Sequence, residues 1–482
     1  MSPSSIIYSV VMTIYLLSII GVITVIISEN RSPVRALPWI IVILFVPVVG
    51  ILFYLHFGVN VRRIRLISNK TFKRLSCIPR SALLRGNEHS LATSKSFIQL
   101  CTLIKKSSNA PITHSSSIEV ITSGEEYLNA LVDTLGKARH HIHLQGYRLH
   151  DDHTGKTICD LLCAKAEEGV EVCILYDKVG SRRNQKIFRK KLRKSGIAVH
   201  PFMKVKFPFL AGKVNYRNHR KIVIVDGEAG FIGNMDLEDR FLYTRSPNKT
   251  SALQLKLSGD AVYRLQQVFL IDLYISGKHT INTKEYYNNR QEKPMGQNLS
   301  STYPMQIVTS SPTDFWSCME QYLTQVILNA KEEILIETPV LIPTDQLQQA
   351  LVSAALSGVR VHLLLPRKMS SLFPKIASRS FFKELNNAGI LIYYAPEGYR
   401  NVQYLVVDSA LSIVGTSRLD FRSFENNFEI DSFIYGESFA SQLKGLFWQT
   451  QSKSILVDTS LTKKSPIKYL TQRIIRLLTP LI

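Results

Sequence analysis

Two long runs without a formal charge open the chain, Ile6 to Ile27 and Ala36 to Phe57. Each has about the length a helix needs to cross a ~30 Å hydrocarbon layer. Pro38 is expected in the first turn of the second helix, where its missing N–H costs nothing, and Pro47 is expected to kink it. Glu29, Arg31 and Arg35 lie between the runs, and Arg62, Arg63, Arg65, Lys70, Lys73 and Arg74 follow them. That bias of basic residues predicts a hairpin crossing a cell membrane twice with both ends cytoplasmic. No basic stretch precedes Ile6 and no small-x-small site follows, which favours an anchor over a cleaved signal.

Beyond residue 114 the pattern changes to helical periodicity alternating with short apolar runs, and it is written twice. GKARHHIHLQGY (136–147) answers LNAKEEILIETP (328–339), and AEEGVEVCILYD (166–177) answers ALSGVRVHLLLP (355–366). KSGIAVHPF (194–202) then answers NAGILIYYA (387–395), and IVIVDGEAGFIGN (222–234) answers YLVVDSALSIVGT (404–416). Each pair reads as a helix end or turn followed by a buried strand, the grammar of an α/β layered fold. The organisation predicted is a transmembrane hairpin (1–60), a basic juxtamembrane linker (61–114) and a first α/β half (115–280). A polar linker (281–304), a second half (305–460) and a basic amphipathic helix (461–482) complete it. Two such halves imply a pseudo-dimer with its site at the shared seam. In the last helix Ile467, Leu470, Ile474, Leu477, Leu478 and Leu481 recur on one face, with Lys468, Arg473 and Arg476 off it. A bilayer interface and the protein's own core explain that stripe equally well.

Lys plus Arg number 59 against 37 Asp plus Glu, a net +22, and Glu29, Arg31 and Arg35 are the only charges before residue 61. A basic body tethered to an anionic leaflet points to lipid rather than nucleic acid. Hydrophobic residues make up 45% of the chain, too many for a disordered tail protein. The six cysteines are irregularly spaced and read as buried thiols, not a disulfide framework or a zinc site.

The chemistry concentrates at NHRKIVIVD (218–226). His219 and Lys221, two apart on a strand, project from one face and set an imidazole beside an ammonium, which suits attack on a phosphoryl group. Asp226 falls on the alternate face, where it would secure the strand end. Gly233 and Asn234 follow as a tight turn that lets backbone approach a ligand. With this spacing the sequence resembles the phospholipase D superfamily, whose H-x-K-x4-D motif occurs once per half. Within it the chain is similar to the bacterial cardiolipin synthases over nearly its whole length, through RSPVRALPW, HIHLQGYRLHDD, NYRNHRKIVIVDG, TPVLIP, ASRSFF and RLLTPLI.

The resemblance implies phosphatidyl transfer between two phosphatidylglycerols, through a phosphohistidine and without metal or cofactor. His219 would be the nucleophile, Lys221 the phosphate clamp, Asp226 the third motif residue, and Glu429 the acid that orients His219 across the seam. Asn234, Arg418, Asp236 and Asn427 would be phosphate or substrate ligands. Asp420, Arg422 and Ser423 keep the family pattern.

The second motif departs from that pattern. Asn401 and Gln403 stand for His and Lys, while Asp408 is retained. Asp236 and Arg418 replace equivalent residues of the two halves and are expected to pair across the seam. The acid that would orient a second histidine is missing near Lys249 to Ser251, and Gln145 is another lost charge near the aromatic Tyr147. A positioned proton donor contributes ~10²–10⁴-fold, so a weakened transferase is expected. The alternatives are an impaired relative that binds anionic lipid or regulates an intact synthase, and a hydrolase of the same superfamily. The basic run 182–194 reads as a solvated helix face or a headgroup contact. KVKFPFL (204–210) reads as an interfacial or a packed loop. His140, His141 and His143 lack a carboxylate partner at metal-ligand spacing.

Overall fold

The computed structural model describes residues 3–28, 33–54, 58, 66–76, 95–148, 150–181, 185–202, 216–242, 251–277, 283–287, 302–369, 371–396, 401–458, 466–477 and 479. Two compact units result, one holding the N-terminal helices and the other the α/β body.

In the first unit one helix, Pro3–Ser28, contains a stretch long and apolar enough to span a membrane, Ile6–Ser28. The second apolar run does not form a matching span. It is split at Val46, ahead of Pro47, into helices Pro33–Phe45 and Pro47–Phe53, because proline cannot continue the hydrogen-bond ladder. The first of these begins at Pro33, so Pro38 lies inside the helix and not in its first turn. The pieces still pack on the long helix through Ile19, Ile26, Ile43 and Tyr54. Arg62, Arg63 and Arg65 lie outside the described residues.

The body is built on one continuous sheet. The first half supplies β1 (Thr113–Ile121), β2 (His141–Gly146), β3 (Glu171–Asp177), β4 (Ala198–Phe202), β5 (Arg217–Asn218), β6 (Ile222–Val225), β7 (Ala229–Gly233) and β8 (Gln254–Gly259). The second supplies β9 (Tyr303–Ser310), β10 (Glu333–Glu337), β12 (Arg360–Pro366), β13 (Leu391–Ala395), β14 (Tyr404–Val407), β15 (Leu411–Gly415), β17 (Asn427–Tyr435) and β18 (Ile455–Leu456), while β11 (Leu341–Ile342) and β16 (Leu419–Asp420) pair with each other in a separate two-stranded sheet. Along the sheet the order runs β18-β13-β12-β10-β14-β15-β17-β9-β1-β8-β7-β6-β2-β3-β4. Read outward from the antiparallel β9–β1 pair, the two sides repeat the same sequence of strands. Each strand pair recognised in the sequence occupies equivalent places. β2 and β10 pair parallel with β3 and β12, which carry nearly continuous apolar runs because helices cover both faces.

Asp226 and Asp408 do the same structural work in the two halves. Asp226 accepts the backbone N–H groups of Arg139, His140 and His141 at 2.8 Å each, and Asp408 those of Lys331, Glu332 and Glu333 at 2.8–3.0 Å. Both sit at positive φ (53° and 52°), a region that Asp tolerates better than bulky residues. Gly233 also has a packing reason: a Cβ there would run into the backbone of Leu253 and Gln254 on the neighbouring strand. The ligand approach expected of it is therefore replaced by strand approach.

Three stretches differ from the sequence reading. The expected linker 61–114 contains a helix, Lys95–Ser108, whose Leu100, Cys101 and Ile104 enter the second half's core beside Tyr322 and Val308. Of the expected linker 281–304, residues 288–301 lie outside the described residues, but Tyr286 is anchored, its hydroxyl donating to Glu171 at 2.6 Å. The last helix, Pro466–Leu477, docks by Ile475 and Arg476, leaving Leu470, Ile474 and Leu477 exposed, so its apolar stripe is not the docking face. KVKFPFL, residues 182–184 and Cys77 lie outside the described residues. The five described cysteines are buried and form no disulfide among the described residues. In helix Gln185–Lys194, Lys191 pairs with Asp160 and Arg189 lies over Tyr176.

Candidate active site

The seam is closed by the segment that carries His219. β5 pairs parallel with the start of β17, Arg217 opposite Asn427 and Asn218 opposite Phe428, so first-half residues extend a second-half strand. The His219 N–H donates to the Phe428 carbonyl at 2.9 Å, fixing the backbone of the imidazole on the other half. The structure places His219, Arg220 and Lys221 in the short connection between β5 and β6, not on the strand expected to carry His219 and Lys221. Arg220 is buried and binds both halves: Nη1 to Asp272 at 2.5 Å, Nη2 to the Ser310 carbonyl at 3.0 Å, and Nε to the Glu429 carbonyl at 3.1 Å. Asp272 also accepts from the amide of Gln145 at 2.6 Å.

His219 itself is half-buried, its ring stacked on Tyr147 at 4.4 Å between centroids and 18° between planes. Gly180 makes the seat for that tyrosine: a Cβ at 180 would lie 2.5 Å from the Tyr147 carbonyl oxygen and 2.9 Å from its ring. Burial, reinforced by the charges of Lys221, Arg418, Arg422 and Arg217, holds His219 well below the usual imidazole value. It is therefore neutral at pH 7, the nucleophilic form. Tyr147→Phe, which keeps the ring, should leave turnover nearly unchanged. Tyr147→Leu and Gly180→Ala should each lower kcat about 10–100-fold with little change in KM, since both misplace the imidazole. Equal loss in Tyr147→Phe would assign the effect to the hydroxyl and contradict the stacking role.

The other expected site residues divide. The Lys221 ammonium is buried, 3.4 Å from the His219 carbonyl and 3.9 Å from Asp236. Asp236 does not pair with Arg418. It lies 3.9 Å from both Lys221 and Arg240, while Arg418 Nε pairs with Asp420 at 3.0 Å. Each found a partner in its own half, a shorter closure than the seam. Asn234 does cross the seam, but to protein: its amide donates to the carbonyl of Asn401, and its Oδ1 accepts from Leu253 N–H at 2.9 Å. Gln403 donates to the Ser417 carbonyl. Asn427 donates to Glu429 at 2.9 Å.

Glu429 is fully buried and accepts from Ser423 Oγ at 2.8 Å, but no hydrogen bond joins it to the His219 ring, and its Oε2 has no partner among the described residues. Burial pushes its carboxyl up to about 7. The register gives its first-half counterpart: Gly233 faces Gln254 and Gly415 faces Asp431, so Ala252 answers Glu429. The first-half position equivalent to Glu429 is therefore Ala252, one residue beyond the stretch Lys249 to Ser251.

Below Gln403 the second half encloses a cavity of about 30 Å³ lined in part by Glu337, Ser417 and Asp431. Burial raises Glu337 to about 7 and Asp431 to about 6. A carboxyl raised in the fold binds protons more tightly there than in the unfolded chain. Its effect is least unfavourable below about 4.5, the ordinary value, and stability falls as pH rises from there through about 7. Glu337→Gln should accordingly raise the thermal midpoint at pH 8 and raise it less, or lower it, at pH 5. The same change at both pH values would contradict a buried, ionising Glu337.

His140, His141 and His143 form a packed group in which burial holds His141 at about 4, and Gln266 bonds both His141 (3.1 Å) and His143 (2.8 Å). No group of three or more His, Cys, Asp or Glu among the described residues is placed to hold a metal ion.

A model described as a cardiolipin synthase, phospholipase-D-like domain matches residues 131–269 and 323–451, one stretch in each half. A phospholipase D-nuclease N-terminal model matches 16–58. The chain is 34% identical to a cardiolipin synthase of Alkalihalophilus pseudofirmus over 479 residues, 97% of this chain and 93% of that one. It is also 34% identical to the major cardiolipin synthase of Bacillus subtilis over 505 residues, covering all of both. Among solved structures, a phosphatidylserine synthase of Haemophilus influenzae shares the fold at TM-score 0.61 and 14% identity, over 80% of this chain and 100% of that one. Matches in both halves and over the full length, on a sheet that repeats itself about one seam, show that the chain belongs to the cardiolipin synthase family.

Proposed function

We propose that the protein is a membrane-anchored phosphatidyltransferase that makes cardiolipin and glycerol from two phosphatidylglycerols. The observation that carries this reading is a neutral imidazole, stacked and half-open, with Lys221 beside it and the charges of Arg418 and Arg422 acting on it from the opposite half. A ring nitrogen of His219 attacks the phosphorus of one phosphatidylglycerol, the P–O bond to glycerol breaks, and the departing alkoxide takes a proton from water, since Asn401 has none to give. The headgroup hydroxyl of a second phosphatidylglycerol then attacks the phosphohistidine, loses its proton, and releases the histidine. Lys221 and Arg418 neutralise the phosphate oxygens, and Arg418 supplies the charge that Gln403 lacks. We assign Glu429 to orienting His219 from the second half, next to the Phe428 carbonyl that receives the His219 N–H. The helix Ile6–Ser28 anchors the body, and we place the remaining apolar run in the membrane with it and the body on the cytoplasmic side, by the basic residues that follow.

The test is transfer itself. Membranes from a cardiolipin-lacking host expressing this chain should convert labelled phosphatidylglycerol to labelled cardiolipin. Labelled phosphatidic acid instead would assign hydrolysis.

A second reading, an impaired relative that binds anionic lipid or regulates an intact synthase, is favoured by the closed state of the second motif, where Asn401 and Gln403 are engaged in protein hydrogen bonds. The double variant Asn401→His, Gln403→Lys separates the two. A slowed transferase should gain roughly tenfold or more in turnover as a proton donor returns. A regulatory protein should show none before or after.

A further inference from the structure

The C-terminal helix is docked the wrong way round for a helix that ends in water. Its inward face is its polar one: Arg476 reaches Glu384 at 3.1 and 3.2 Å and Gln348 at 3.1 Å, and its guanidinium lies 4.3 Å from the Phe381 ring centroid. Ile475 is the apolar residue of this helix packed on the core. At 100° per residue, positions 470, 474 and 477 point almost directly away from 472, 475, 476 and 479. Leu470, Ile474 and Leu477 are accordingly 61%, 50% and 79% exposed. Amphipathic helices on globular domains turn their apolar stripe inward, so this arrangement leaves a stripe for something else to cover.

We infer that the Leu470–Ile474–Leu477 stripe seats in the headgroup–acyl boundary of an anionic phospholipid bilayer, with the Arg476 cluster as the bracket that holds it to the catalytic body. Lipid is the occupant the chain itself specifies. The same polypeptide carries a membrane-spanning stretch, so the body works at a bilayer. Arg473 lies off the stripe, and Lys463, Lys464 and Lys468 stand close before it in the sequence, on a chain of net +22. Cations flanking an apolar stripe match anionic headgroups above acyl chains. The bracket matters because Gln348, Phe381 and Glu384 belong to helices Asp345–Leu356 and Leu372–Asn387 of the second half. Seating the stripe would therefore fix the height and tilt of that half against the membrane.

The test uses the full chain reconstituted in vesicles of phosphatidylglycerol and phosphatidylcholine, with a nitroxide on Ile474→Cys or, separately, Leu470→Cys, and Cys77→Ser as background. The five described native cysteines are buried and should not label. At both positions collisions with dissolved oxygen should exceed those with a water-soluble nickel chelate several-fold, and Arg476→Ala should weaken that preference. Free access of the nickel chelate to both labels would overturn the inference, because the stripe would then face water. Shielding from both reagents would overturn it as well, since a second copy or a protein partner would then be the cover. The readout does not require turnover, so it stands apart from the proposed reaction.

Discussion

His219→Ala should abolish cardiolipin formation, with a loss of at least about 10⁴-fold in turnover, because the proposed reaction passes the phosphatidyl unit through this imidazole. In a family with two histidines, the second can in principle share the work. Here its place is filled by Asn401, whose amide cannot act as a nucleophile or supply a proton at neutral pH. Loss of a covalent nucleophile in other enzymes costs about 10⁶-fold, and the residue that remains is binding without chemistry. His219→Ala should therefore still hold phosphatidylglycerol, since Lys221 and the second-half arginines are untouched. Membrane assays with labelled lipid, alongside binding of the same lipid by the purified variant, check both halves of the statement. Appreciable transfer by His219→Ala would remove the imidazole from the reaction.

Arg220→Met should cost about 3–5 kcal/mol of stability and take activity with it. Arg220 is buried, and its departure leaves the fully buried Asp272 with only the side-chain amides of Gln145 and Asn218. It also removes donors to the Ser310 and Glu429 carbonyls, which belong to the strands that flank the seam. Unlike a surface ion pair, worth ~0–1 kcal/mol, this one cannot be replaced by water without opening the joint between the halves. Adding Asp272→Asn should recover part of the loss, because the uncompensated charge disappears while the broken carbonyl contacts remain. Chemical unfolding of the solubilised protein measures all three. A single-variant loss below about 1 kcal/mol would show that Arg220 does not pin the seam.

The duplication was legible because the strands of parallel sheets are continuous apolar runs closed by Gly turns, a pattern strong enough to align by eye. Asp226 and Asp408 were legible for a related reason, since both close the strand that follows the motif. Less visible was anything set by distance across the chain. Helix Lys95–Ser108 lies before the first strand yet packs in the second half, and nothing in its local pattern names that destination. Arg220 sits between His219 and Lys221 in the connection from β5 to β6, and its three acceptors are scattered from Asp272 to Glu429. Tyr147 was noted for its type, while its stacking on His219 depends on Gly180, far along the chain. The pairing of Asp236 with Arg418 failed because Asp420, two residues from Arg418, offers a carboxylate at 3.0 Å without any closure across the seam. Conversely, the bond from Asn427 to Glu429, two residues along the same strand and on one face of it, needs no long-range closure.

Trapping the covalent intermediate tests the account most directly. Purified protein mixed with phosphatidylglycerol labelled at phosphorus, denatured at neutral pH and digested, should yield one acid-labile phosphorus-labelled adduct on the peptide bearing His219. Label on another residue, or no adduct under conditions that form cardiolipin, would contradict it.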